Sequence, residues 1–131
     1  LEAWVTRNPY AQAGLYGQCT WFAWGRFYEL YGYDPGFSGD GSSCVKELIA
    51  AHPDKFERSS SPKAGAVFSA IGHNHVGIVI AVKDNTLTVQ EGNLDGITNT
   101  FQDAKKDWQT KSYTLDQLRS IYGGVVFANP K

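Results

Sequence analysis

A chain of 131 residues with 12 basic and 13 acidic side chains, and a formal net charge of −1, carries no basic patch for nucleic acid. Its 42% hydrophobic and 14% aromatic content excludes a disordered chain and fits one domain around a single core. Two cysteines are too few for a disulfide-stapled scaffold, and no apolar run approaches the ~20 residues of a membrane span.

Residues 1–18, LEAWVTRNPYAQAGLYGQ, carry aromatics without a sustained period and read as a short helix or turn leading to Cys19. From Thr20 to Tyr31 the chain reads TWFAWGRFYELY, with Ala23, Phe27 and Leu30 on one helical face and Trp21, Trp24, Tyr28 and Tyr31 on another. Only a narrow stripe around Arg26 and Glu29 is polar, so the helix is expected to be buried on most sides, with Gly32 as its C-terminal cap. Cys19 then lies at the start of a buried helix, where unpaired N–H groups and the macrodipole favour a thiolate. Taken alone, such a cysteine is more often a small hydrophobe in a core.

Residues 32–43, GYDPGFSGDGSS, form a loop, and Ser42 or Ser43 can cap a second helix, Cys44–Ala51, which His52 and Pro53 end. Residues 54–63 read as a polar connector. From Ala64 the period changes to two. Strands are expected at 64–71, 75–82, 86–93 and 96–101, the second and third as a hairpin. Thr114 and Gln117 make a capping-box pattern for a short helix to about Ile121, and 123–129 is a last strand. Helices first and an antiparallel sheet second is an α+β arrangement.

His73 and His75 flank Asn74 just ahead of the most apolar strand, with no third ligand at a metal-site spacing. No metal or other cofactor is therefore expected. His75, Gly77, Val79 and Ala81 share one face of that strand, lined with small residues and open to the close approach of the Cys19 helix. A three-residue loop at Lys83–Asn85, with Asn85 left-handed, sets Gly77 across from Glu91 and His75 across from Asn93. A two-residue turn at Asp84 and Asn85 puts Glu91 on the opposite face instead. In the first register a thiol, an imidazole, a carboxylate and an amide converge, as acyl transfer requires. The Cys19 backbone N–H is one candidate oxyanion donor, and Gln18 or Asn93 the second.

Those residues also carry a family resemblance. GQCTWFAW (17–24), PKAGAV (62–67), GHNHVGIVIAV (72–82) and TVQEGN (88–93) resemble, in this order and spacing, a CHAP domain, a cysteine- and histidine-dependent amidohydrolase/peptidase with a papain-like core. The resemblance implies that Cys19 is the nucleophile, His75 the base, Glu91 the group orienting it and Asn93 a polar fourth member. It implies bacterial peptidoglycan as partner, an amide of the stem or cross-bridge peptide as the bond cut, and action at the cell wall as autolysin or phage lysin beside a separate wall-binding module. Some phage members bind calcium through aspartates just before the cysteine; NPYAQAGLYGQ has none. Cys44 matches no functional position. The chain contains no methionine, so residues 1–131 are expected to be a single catalytic domain excised from something longer. Two rival readings are an amidase acting on a small amide, and a non-catalytic glycan-binding module with Cys19 and Cys44 oxidised together.

Overall fold

A computed structural model describes residues 3–15, 17–92 and 108–131. A π-helical turn at Ala3–Arg7 leads to the short helix α1, Pro9–Gln12. Asn8 caps α1 by accepting from the Tyr10 N–H at 3.0 Å, and its amide donates to the Trp21 carbonyl at 3.0 Å. Asn8 is fully buried, so this pair of bonds fixes the N-terminal segment on the next helix. That helix, α2, runs from Cys19 to Tyr31 and ends at Gly32, left-handed at φ 80°. In its middle, Gly25 has no side chain because the Trp4 indole occupies the space a Cβ would take. Glycine inside a helix costs about 1 kcal/mol against alanine; here it lets two aromatic segments close on each other.

A 3-10 turn, Gly41–Ser43, feeds α3, Cys44–Ala51. The strands are β1 Phe56–Ser59, β2 Val67–Ala70, β3 His75–Lys83, β4 Thr86–Glu91, β5 Gln109–Thr114 and β6 Val125–Pro130, with α4, Leu115–Tyr122, between the last two. They form one sheet in the order β1-β6-β2-β3-β4-β5, and every pairing is antiparallel. Helices on an antiparallel sheet give the α+β class that the periodicity indicates.

Two departures from the sequence reading concern strands. β1 lies inside the supposed connector, where Phe56 is its one core residue and FERS shows no alternation. β5, QTKSYT, is an edge strand with a mostly exposed pattern and no apolar signal. The expected strand at 96–101 falls outside the described residues.

The sheet separates two cores. On one face Val67, Val76, Ile78 and Ala128 meet Trp4, Trp21, Phe22, Trp24, Phe27 and Leu48 from the N-terminal half. On the other, Phe68, Ala70, Val79, Leu87, Val89 and Phe127 pack with Leu118 of α4. So α2 covers the Val76 and Ile78 face, and the Gly77 face belongs to the α4 side. A Cβ at Gly77 would overlap the Phe68 ring, not the Cys19 helix. The small residues of that face make room for Phe68, which corrects the expected packing partner.

The hairpin corrects a second expectation. Its turn has two residues, with Lys83 paired to Thr86 and Asp84, not Asn85, at positive φ. Counted from that turn alone, Glu91 would face α2. A register shift between Val79 and Ala81 adds one residue to β3 at Ile80, so that Val79 pairs with Val89 and Ile78 with Gln90. The bulge reverses the parity and returns Glu91 to the His75 face.

Candidate active site

Cys19 is the first residue of α2, behind Gln18, whose extended backbone (φ −65°, ψ 155°) makes it the N-cap. Gly17 takes φ 77° just before, a turn that brings the loop into line with the helix axis. As at any helix start, the positive end of the α2 dipole and its first N–H groups lie beside Cys19 and favour negative charge there.

His75 opens β3, so it meets Cys19 across the end of the sheet. The residue before it, Asn74, is left-handed at φ 53°. Its side-chain oxygen accepts from both the N–H and the hydroxyl of Ser42, each at 3.1 Å. Gly41 lies against this turn, and a Cβ there would come within 2.8 Å of the Asn74 carbonyl oxygen. The Gly41 carbonyl accepts from the Ser69 hydroxyl at 2.7 Å, and that hydroxyl accepts from the Val45 N–H at 3.0 Å. The 3-10 turn is thus wedged between α3 and the segment that aims His75. Between it and the start of α2 opens a cavity of about 350 Å³, lined by Tyr10, Gln18, Cys19, Asp40, Gly41 and Asn74.

Glu91 is 0% exposed at the end of β4. Its Oε1 accepts from His75 Nε2 at 2.8 Å and from the Tyr122 hydroxyl at 2.6 Å, and its Oε2 accepts from the Tyr113 hydroxyl at 2.9 Å. With Nε2 engaged, Nδ1 is the ring nitrogen left for Cys19. The Tyr122 ring stacks on the imidazole, with centroids 4.6 Å apart and planes 17° from parallel.

The charges follow from this packing. Burial opposes a charge on His75, but its interaction with Cys19 and the hydrogen bond it donates to the Glu91 carboxylate outweigh it and push the imidazole up to about 9. Burial also opposes the Glu91 carboxylate, yet its bonds to His75, Tyr122 and Tyr113 hold it below the usual carboxylate range. The site therefore favours an imidazolium between two acidic groups. Since folding raises His75 above its ordinary 6.5, the stabilisation is complete below about 6.5 and lost as pH rises through about 9. Melting temperature should accordingly fall across that interval, and calorimetry on His75→Gln should show the fall removed.

Of the residues singled out from sequence, Cys19, His75 and Glu91 come together and Gln18 lines the same cavity. Asn93 lies outside the described residues. His73 is exposed in the turn, edge-on to Tyr122 at 6.1 Å. His52 sits at the end of α3, its Nε2 2.7 Å from the Asp34 carbonyl. Cys44 is a buried free thiol donating to the Asp40 carbonyl at 3.4 Å, and Cys19 is also free. Burial pushes the Cys44 thiol up, which suits a packing residue.

Sequence reasoning missed Tyr113 and Tyr122. Tyr122 carries a usable signal, since it is four residues beyond Leu118, the buried residue of α4. Tyr113 sits opposite Leu87, and no alternation in QTKSYT marks the strand that puts it there.

The family profile of the CHAP domain matches residues 7–93. No curated protein matches the chain. Among solved structures, an N-acetylmuramoyl-L-alanine amidase from Staphylococcus aureus is similar in fold, with a TM-score of 0.58 at 20% identity over 88% of this chain and 31% of that one. The crystal structure of Ly7917 is similar with a TM-score of 0.54 at 19% identity, over 88% of this chain and 55% of that one. The chain thus spans about a third of the first and about half of the second.

Proposed function

The chain belongs to the CHAP domain family, and from that premise we propose that it hydrolyses an amide bond in the peptide part of bacterial peptidoglycan, with Cys19 as nucleophile. The observation that carries the reading is one contact set. The thiol at the start of α2 helps hold the proton of the His75 ring, whose Nε2 donates at 2.8 Å to a fully buried carboxylate. The substrate class is supported by the similarity in fold to the N-acetylmuramoyl-L-alanine amidase. We place its action at the cell wall, joined to a wall-binding module in a longer protein.

In the mechanism that fits these groups, the Cys19 thiolate attacks the amide carbonyl carbon and the carbonyl π electrons move to oxygen. In this reading the N–H of Cys19 and the side-chain amide of Gln18, which lines the same cavity, receive that oxyanion. His75, as imidazolium, protonates the leaving nitrogen as the C–N bond breaks, leaving a thioester on Cys19. The neutral imidazole then removes a proton from water, which attacks the thioester and releases a carboxylic acid and the thiolate. Glu91 holds the ring in the right tautomer and balances its positive charge in both halves of the cycle.

Mass spectrometry of digested, purified peptidoglycan tests the reading. Expected are products one water heavier than the bond they came from. Glycan strands freed of whole peptides would mark the N-acetylmuramoyl–L-alanine bond, and new peptide amino termini an endopeptidase. Intact sacculi alongside hydrolysis of a small amide such as a glutathione–polyamine conjugate would move the chemistry to another substrate and sink the wall assignment.

A further inference from the structure

We infer that Tyr122, assisted by Tyr113, is a positioning residue that sets how strongly Glu91 holds the His75 charge. The inference rests on the assignment of Cys19, His75 and Glu91 as the reacting unit, and it concerns the two side chains that complete that unit from β5 and α4.

The geometry is specific. Tyr122 does two things to the same pair. Its ring covers one face of the imidazole at 4.6 Å with planes 17° from parallel, which limits rotation of His75 about its ring plane. Its hydroxyl donates at 2.6 Å to Oε1, the very oxygen that accepts from His75 Nε2 at 2.8 Å. Two donors on one carboxylate oxygen compete for its lone pairs, so the tyrosine draws off part of the negative charge His75 would otherwise receive. Tyr113 takes Oε2 at 2.9 Å and pins the rotation of the carboxylate. Burial and the Glu91 charge push both phenols upward, so they remain donors over the working range.

Without these hydroxyls Glu91 would keep, among the described residues, His75 as its one hydrogen-bond partner, and that ion pair would take all of its charge. With them, the carboxylate stays ionised by a network and the imidazolium is held less tightly. That is useful where the same imidazole must give up a proton in one step and take one in the next. Among the described residues the titratable groups facing His75 are Cys19 from α2, Glu91 from β4 and Tyr122 from α4; Tyr113 acts through Glu91, and the His73 ring is edge-on to Tyr122 at 6.1 Å.

The test is the titration of His75 itself in the whole chain, read by NMR on histidine-labelled protein and paired with the pH dependence of Cys19 alkylation by iodoacetamide. Neither readout requires a peptidoglycan substrate, so failure of the wall assignment leaves the inference standing or falling by itself. In Tyr122→Phe the ring remains and the hydroxyl goes. His75 should then titrate about half a unit or more above its wild-type value of about 9. Thiolate alkylation should follow the same displacement. Tyr113→Phe should shift His75 in the same direction by less, since it frees the other oxygen, and it serves where Tyr122→Phe does not fold. Tyr122→Leu should additionally broaden the His75 ring signals through loss of the stack. An unmoved titration in both phenylalanine variants, whatever their turnover, reduces the tyrosines to packing and overturns the inference. A downward shift overturns it equally, because competition for Oε1 allows only the upward direction.

Discussion

Cys19→Ser should abolish wall hydrolysis, with a loss of about 10⁴-fold or more in kcat, while circular dichroism and melting temperature stay close to the parent. The substitution keeps the volume and the helix N-terminus, so the fold has little to respond to. What changes is the nucleophile: a hydroxyl is scarcely ionised beside an imidazole, whereas a thiol exchanges its proton with one readily. Cys44→Ser is the control. That thiol is 0% exposed and among the described residues bonds Asp40 and Tyr10, so its replacement should leave most activity. Iodoacetamide mapping should label Cys19 far faster than Cys44. Lysis that survives Cys19→Ser, or depends equally on Cys44, would show that the nucleophile has been assigned wrongly.

How much of this site was legible in the chain differs from residue to residue. Cys19 was readable because the helix that follows it is apolar on all but a narrow stripe and a glycine two residues earlier marks the loop it leaves. Its first residue is one place earlier than the apolar period suggests, a usual uncertainty at a helix end. His75 was readable from its position at the head of an apolar strand. Glu91 reached the right face for a reason the sequence does not display. The hairpin turns with two residues, which alone would have reversed its side, and the bulge at Ile80 reverses it again. Nothing in HVGIVIAVK marks Ile80 for that role, because a bulge is chosen by packing on both faces of the sheet. The function of Gly77 was misread for the same kind of reason. Its absent side chain makes way for Phe68, a residue nine positions earlier in a neighbouring strand. Tyr122 carries the helical spacing from Leu118, but Tyr113 lies further out of reach, since its value depends on an edge strand closing over a carboxylate that local pattern cannot locate.

His75→Ala should equal Cys19→Ser in its effect on turnover, and the double variant should be no worse than either, since the two groups act as one unit and their losses do not add. It should differ from Cys19→Ser in stability. Glu91 is fully buried and accepts three hydrogen bonds from described residues, of which the one from His75 comes from a group able to carry positive charge. Removing it leaves a buried carboxylate held by two phenols, and breaking a buried pair from one side costs about 3 kcal/mol. The pH dependence should then change sign. In the parent, burial is outweighed and Glu91 titrates low, so its contribution is lost as pH falls. In the variant, burial prevails and the neutral acid is preferred, so acidification towards about pH 4–5 should recover stability that the parent loses. Denaturant titration at several pH values reads this directly. His73→Ala, in the exposed turn, should do neither. Equal losses from the two histidines, or additive losses in the double variant, would mean that Cys19 and His75 do not act as one unit.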